Sequence, residues 1–238
     1  MDLGYALWGA AAAALALILG AAVAGLRTPS ARLQSVMGHL ASGVVTGVVA
    51  AELVPEILET GRPGALSIGF IAGACLMISV QRISDRYFKA QGNTGFLVAT
   101  GLDVTIDGLL IGFAFAIGTS VGGLLVLAFI LELLALGLAV GSDSANSNTG
   151  AGSGNALRKA FILALPVVPA AAAGALLLIS AGEGLRQGLM GFAVAVMLYL
   201  VTEELMKEAH ETEETPVATA AFFFGFLVLV LLELAILH

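Results

Sequence analysis

Three acidic residues interrupt two consecutive apolar stretches of this sequence. Asp103 and Asp107 are four residues apart within the segment GFLVATGLDVTIDGLLIGFAFAIG, and Glu132 lies midway along the next apolar stretch. Residues at i and i+4 share one face of a helix, so both aspartates can reach the same ion. Because a carboxylate in the hydrocarbon core of a bilayer is costly without a partner, such acids indicate an ion pathway or a proton relay.

The composition places these acids in a membrane. Hydrophobic residues make up 59% and charged residues 11% of the 238 residues, whereas soluble domains are roughly 25% charged. The chain has eight apolar stretches, each near the roughly 20 residues that a spanning helix needs. These stretches, called spans 1 to 8 below, are approximately 3–26, 36–58, 65–83, 96–118, 122–141, 157–180, 186–208 and 217–237. They predict an all-α integral membrane protein with one transmembrane domain, 1–238.

The positive charges predict an orientation. If the N-terminus is outside, the outer loops hold Arg62 and Arg186, and the inner loops hold Arg27, Arg32, Arg82, Arg86, Lys89, Arg158, Lys159 and Lys207. Since short cytoplasmic loops carry an excess of Lys and Arg, we expect a plasma (inner) membrane protein with both termini outside. The Ser/Gly/Asn-rich segment 141–156 is then expected to be a flexible cytoplasmic loop. No feature of the sequence indicates a nucleic-acid partner.

Two internal echoes indicate a repeat. DVTIDGLLIG at 103 and ELLALGLAVG at 132 each place a glycine five residues after an acid and a second glycine four residues further on. The second echo pairs Glu52-Leu-Val-Pro-Glu56 in span 2 with Glu204-Leu-Met-Lys-Glu208 in span 7. Weak repeats of this kind are common in transporters whose substrate site lies near the midplane. We therefore predict an inverted repeat of spans 1–3 and 6–8 around spans 4 and 5.

VMLYLVTEELMKEAH at 196–210 is similar to the seventh helix of the ZIP family of divalent-metal transporters. Leu53-Val-Pro-Glu56 is similar to the Leu-Leu-Pro-Glu in helix 2 of that family. The segments at 103 and 132 fall where the family carries its metal motifs. The resemblance covers the whole chain and implies a ZIP-like eight-helix bundle, alternating access, a homodimer and a transported divalent ion such as zinc, manganese, iron or cadmium.

The chain departs from the family at several ligand positions. Where the family has His, Asn and Pro in helix 4, this sequence has Asp103, Val104 and Ile106. In span 5 the second polar position is Leu133 and the second acid is Leu136. The family positions that help to build a second metal site are therefore apolar here, which favours a single-metal or reorganised site.

The expected metal ligands are all oxygen donors. They are Asp103, Asp107 and Glu132, with Glu203 or Glu204 of span 7 as further ligands. Oxygen-only sites suit hard cations such as manganese, magnesium and calcium, although zinc also accepts carboxylates. Like charges this close would repel one another in a metal-free site, so metal entry is expected to expel protons. No resident cofactor is expected, because the metal would be the cargo.

Four further residues lie nearer the ends of spans. In the predicted orientation Glu52 and Glu56 face the outer side, and Glu208 and His210 face the inner side. They could be entry and exit relays, and solvated or snorkelling side chains explain them equally well. His39, by contrast, is expected to be a structural histidine.

The sequence argues against an enzyme. A metalloprotease of the His-Glu-x-x-His type needs a motif that the three histidines do not form. An intramembrane aspartyl protease stays as an alternative through Asp103 and Asp107, although the two acids of such a dyad normally come from facing segments and these share one helix. The other alternative is a metal-binding sensor or scaffold that moves no ion.

Overall fold

The computed structural model of the protein describes residues 3–84, 86, 93–146, 152–209 and 215–237. Within these ranges, eight helices are long and apolar enough to cross a membrane, one for each predicted span, and no strand occurs. The all-α, multi-pass architecture is thereby confirmed. In chain order the helices are Leu3–Leu26, Ala31–Val48 with Val54–Thr60, Pro63–Ile83, Asn93–Ile117, Thr119–Asn146, Gly152–Ala164 with Val167–Ile179, Glu183–Tyr199 with Met206–Ala209, and Pro216–Leu237.

Span 2 begins earlier than its apolar run. Its helix starts at Ala31 because the preceding Ser30 caps it, with the serine hydroxyl accepting a hydrogen bond from the backbone N–H of Leu33 at 3.3 Å. Serine is a favoured N-cap because its oxygen satisfies a backbone donor that has no partner inside the helix. Hydropathy alone does not predict this start of the helix.

The loop predicted at 141–156 is shorter than expected. Span 5 continues as helix to Asn146, and the helix of span 6 starts at Gly152. The hydroxyls of Ser142 and Ser144 donate to carbonyls one turn earlier, at 2.8 and 2.9 Å. Serine can satisfy its hydroxyl inside a helix in this way. The small polar residues at the end of span 5 are therefore compatible with helix, although their composition favoured a linker.

Both members of the second sequence echo begin in a widened helical turn. The π-helical segment Val49–Leu53 contains Glu52, and Leu200–Leu205 contains Glu204. In span 2 the widened turn comes just before Pro55, which has no N–H to donate to the carbonyl one turn earlier. Single π-turns occur frequently at functional sites in helices. The two segments therefore share both a sequence pattern and a local backbone geometry.

Glycines mark the closest contacts between spans. A Cβ atom at Gly137 of span 5 would collide with the carbonyl oxygen of Leu17 in span 1, and one at Gly112 of span 4 would collide with that of Ala171 in span 6. Small residues allow this approach of two backbones in membrane bundles. Span 4 therefore packs on span 6, and span 5 packs on span 1.

The remaining spans form two further close pairs. Span 2 packs on span 8, where a Cβ at Gly43 would collide with the backbone of Phe222. Span 3 packs on span 7, where one at Gly69 would collide with the backbone of Gly188. Spans 3 and 8 are the least buried of the eight. Most of their apolar surface therefore faces the surroundings of the bundle, as expected for helices at a lipid boundary.

Candidate metal centre

The three acids singled out by the sequence come together in the structure. Asp103, Asp107 and Glu132 each offer a carboxylate oxygen, and these oxygens all lie within 4.8 Å of one another. Oxygens bound to one divalent cation at about 2.0–2.6 Å lie at most about 5 Å apart. The three groups are therefore close enough to share a single ion.

Burial differs among the three carboxylates. Asp107 is 0% exposed and Glu132 is 4% exposed, whereas Asp103 is half-buried. The neighbouring Val104 and Leu133 are completely buried, so the cluster is set among apolar side chains. Because charges interact more strongly in a medium of low dielectric constant, a cation would be held here more firmly than at an exposed site.

Helix geometry explains why the acids meet between spans 4 and 5. At about 100° per residue, a glycine five residues after an acid lies about 140° around the helix, and a glycine nine residues after it lies about 180° around. Gly108 and Gly112 of span 4 pack against span 6 in this way, and Gly137 and Gly141 of span 5 pack against span 1. Span 4 thus presents glycines to span 6, and span 5 presents glycines to span 1. The acids of each span lie on the opposite face of its helix.

Of the two predicted ligands from span 7, the described one, Glu203, does not join this group. Glu203 is exposed, and it is not among the acids whose oxygens lie within the 4.8 Å grouping. The side chains of Glu204 and Glu208 and the whole of His210 lie outside the described residues. Their suggested roles as ligands and exit relay stay predictions.

Glu52 is buried and has a partner that sequence reasoning missed. Its side chain is 8% exposed and lies beside the carboxyl group of Glu233 in span 8. No spacing signal links two residues so far apart in the chain.

Two other predicted residues are also placed. Glu56 is half-buried and lines a cavity whose lining does not include the three clustered acids. His39 is 3% exposed, with its Nδ1 atom 2.8 Å from the carbonyl oxygen of Ser35 one turn earlier. That short-range contact within span 2 agrees with the structural role expected for His39.

Comparison with known proteins adds no family assignment. No protein-family model matches this chain, and no curated protein matches its sequence. The resemblance to ZIP transporters therefore depends on the motifs alone. Function has to be argued from the carboxylate cluster and from the packing that creates it.

Proposed function

We propose that the protein is a divalent metal cation transporter that moves zinc or a related ion across the membrane through Asp103, Asp107 and Glu132. The observation that carries this proposal is the convergence of three carboxylates within 4.8 Å, two of them buried, on adjacent apolar spans. Intramembrane acids are rare because they are costly, and they commonly mark ion pathways. Three of them around one point provide the negative charge and the oxygen donors that a divalent cation prefers.

The chemistry of the cluster suits an ion that must both enter and leave. Three ionised carboxylates carry one negative charge more than a divalent cation can neutralise, so protons compete with metal for the same oxygens. Metal entry then releases protons, and protonation helps metal to depart. An all-oxygen site also holds zinc less firmly than a site with imidazole or thiolate ligands would. Weak holding favours release on the far side.

The packing of the bundle supports the predicted inverted repeat. The predicted repeat exchanges spans 1–3 with spans 6–8 and span 4 with span 5. It must therefore carry the packed pair of spans 1 and 5 onto the pair of spans 6 and 4. It must likewise carry the pair of spans 2 and 8 onto the pair of spans 7 and 3. These four pairs are the ones in which backbones approach most closely. Transporters built from such repeats place the substrate site at the repeat interface. We therefore favour a ZIP-like bundle with alternating access in the plasma membrane, with both termini outside and a homodimeric assembly.

Flux through proteoliposomes tests the proposal. Purified protein would be reconstituted, and uptake of zinc, manganese, cadmium and iron would be compared for the wild type, Asp107→Asn and Glu132→Gln. Both substitutions keep side-chain size and remove a charge, so both are expected to abolish flux of the transported ion. Glu59→Gln is the matched control, because Glu59 is an exposed acid near the end of span 2. Its flux should match the wild type.

The same samples separate the alternatives. Metal bound at the cluster without flux of any ion would replace the transporter by a sensor or scaffold. Peptide cleavage by the wild type, lost in Asp107→Asn, would favour the aspartyl protease. Flux that persists in both cluster variants would show that the ion takes another route and would overturn the proposal.

A further inference from the structure

A second pair of acids meets inside the bundle, between spans 2 and 8. Glu52 lies beside Glu233, and neither belongs to the group formed by Asp103, Asp107 and Glu132. Glu52 is 8% exposed and Glu233 is half-buried. The Oε1 atom of Glu52 and the Oε2 atom of Glu233 are closed to solvent, and among the described residues neither atom has a hydrogen-bond partner. The carboxylate cluster does not explain this second pair.

The packing of span 8 on span 2 places Glu233 in the contact between them. A Cβ atom at Gly47 of span 2 would lie 2.8 Å from the side chain of Leu229, and Leu229 is completely buried. Residues at i and i+4 share one face of a helix, so Glu233 follows Leu229 on the face of span 8 that meets span 2.

The widened turn of span 2 brings Glu52 to the same contact. In a regular α-helix a residue five positions after Gly47 would lie about 140° around the helix from it. Within the π-helical segment Val49–Leu53, however, the N–H of Val54 donates to the carbonyl of Val49, five residues earlier. The turn therefore holds one residue more, and Glu52 comes close to the face that carries Gly47. Single π-turns of this kind occur frequently at functional sites.

The charges that act on Glu52 are those of Glu233 and Glu56, and both are acids. The other charged groups described on spans 5 and 7, which pack on span 2, are engaged elsewhere or exposed. Glu132 belongs to the cluster, Asp143 and Glu183 are paired with basic side chains, Arg186 donates to a backbone carbonyl, and Glu203 and Lys207 are exposed. The side chains of Glu204 and Glu208 lie outside the described residues. Two ionised carboxylates side by side would therefore repel each other in an apolar interior.

We infer that Glu52 and Glu233 form a proton-binding site, in which the two carboxyl groups share one proton between spans 2 and 8. A proton supplies the O–H donor that two carboxylates lack, and it removes one of their two charges. It needs no cavity, which agrees with oxygen atoms that are closed to solvent. In the predicted orientation the shared proton joins spans 2 and 8 towards the outer side. The site does not depend on the proposed transport function, because it lies outside the cluster.

Infrared spectroscopy of the full-length protein in detergent tests this site. The C=O stretch of a protonated carboxyl group is separate from the bands of ionised carboxylates, and exposed acids are ionised at about pH 7. The background is the triple variant Asp103→Asn/Asp107→Asn/Glu132→Gln, so the cluster adds no protonated carboxyl group. We expect a band of one protonated carboxyl group per chain in this background. Adding Glu52→Gln or Glu233→Gln should remove it, and Glu59→Gln, at an exposed acid of span 2, should retain it.

A second measurement uses the wild type and depends on neither the triple variant nor Glu52→Gln. As the pH is raised above neutrality, loss of the shared proton leaves two neighbouring negative charges, which destabilise the contact between spans 2 and 8. The unfolding midpoint of the wild type and of Glu59→Gln should therefore fall more steeply than that of Glu233→Gln, where the pair can carry only one charge. Glu233→Gln is isosteric at a half-buried position, so its folding is the least affected.

Each outcome decides for or against the shared proton. Loss of the band in both glutamine variants, with retention in Glu59→Gln, supports the inference. Absence of the band from the background, or a band that survives either glutamine substitution, overturns it. An equally steep fall of the midpoint in the wild type and in Glu233→Gln also overturns it. A protein that moves no metal and still shows the band would overturn the transport proposal alone.

Discussion

Spans 4 and 5 are packed alike and carry different chemistry. Each places two glycines, four residues apart, against the backbone of a neighbouring helix, which is span 6 for span 4 and span 1 for span 5. Each presents an acid on the opposite face. Yet the position that holds Asp107 in span 4 holds Leu136 in span 5. The glycines cannot accept a side chain without moving a backbone, whereas the ligand positions can differ. In this bundle the glycines that set the helix contacts and the acids of the cluster are therefore different residues on the same helices.

The largest expected effect concerns the ligands themselves. Asp107 and Glu132 are out of water, while Asp103 is half-buried, so a water molecule can replace only the Asp103 oxygen. We expect metal affinity to fall on the order of 100-fold in Asp107→Asn and in Glu132→Gln, and about tenfold in Asp103→Asn. Titration calorimetry of the detergent-solubilised variants measures this. A loss in Asp103→Asn as large as in Asp107→Asn would contradict the assigned order of burial and affinity.

The next effect concerns the glycines at the helix contacts, and the loss of stability on their substitution should be equal in the two spans. Gly112→Ala and Gly137→Ala each place a Cβ atom against a backbone carbonyl oxygen, and overpacking of this kind costs about 2 kcal/mol. Unfolding in detergent should show similar destabilisation for both. Gly101→Ala in span 4, where the nearest atom to the new Cβ is 3.6 Å away, and Gly123→Ala in span 5, where none lies within 4 Å, are matched controls.

These controls should unfold at or above the wild-type midpoint, because alanine favours helix over glycine. Destabilisation of Gly112→Ala without destabilisation of Gly137→Ala would show that the two spans are not packed equivalently. Spans 4 and 5 would then differ in their backbone contacts as well as in their acids.

Much of the fold follows from hydropathy, because lipid requires long apolar helices and leaves few alternatives. Span 1 has the bounds that its apolar run predicts, Leu3–Leu26. The end of span 5 was predicted wrongly, since Ser142 and Ser144 satisfy their hydroxyls inside the helix. Composition reports the polarity of a residue. It does not report whether a hydrogen-bond partner is available one turn earlier.

The carboxylate cluster was predictable, whereas the polar contacts elsewhere in the bundle were not. Asp103 and Asp107 share a face by spacing, and the glycine echo predicts that Glu132 occupies the equivalent face of span 5. The contact between Glu52 and Glu233 depends on the pairing of spans 2 and 8, for which the sequence has no periodic signal. Gln187 is an ordinary amide near the start of a span until the structure shows its burial. Contacts between distant spans are what the sequence leaves open.

The smallest expected effect comes from giving span 5 the acid that it lacks. Leu136 is half-buried, lies one turn from Glu132 and is the counterpart of Asp107. Leu136→Asp would add a fourth carboxylate beside the cluster, which repels the other three without metal and adds an oxygen ligand with metal. Saturating metal should therefore stabilise this variant more than it stabilises the wild type, by about 1 kcal/mol or about 2–4 °C in the unfolding midpoint.

Leu131→Asp is the matched control, because Leu131 is a half-buried leucine on another face of span 5. Both substitutions place an acid in an apolar span, so both should lower the midpoint in the absence of metal. Only the acid at position 136 is placed to share the ion with Glu132. If metal restores Leu136→Asp but not Leu131→Asp, spans 4 and 5 differ in their ligands alone. If metal restores neither variant, the two spans present their acids in different orientations despite equivalent glycine contacts, and the asymmetry of the cluster lies in the helices and not in one side chain.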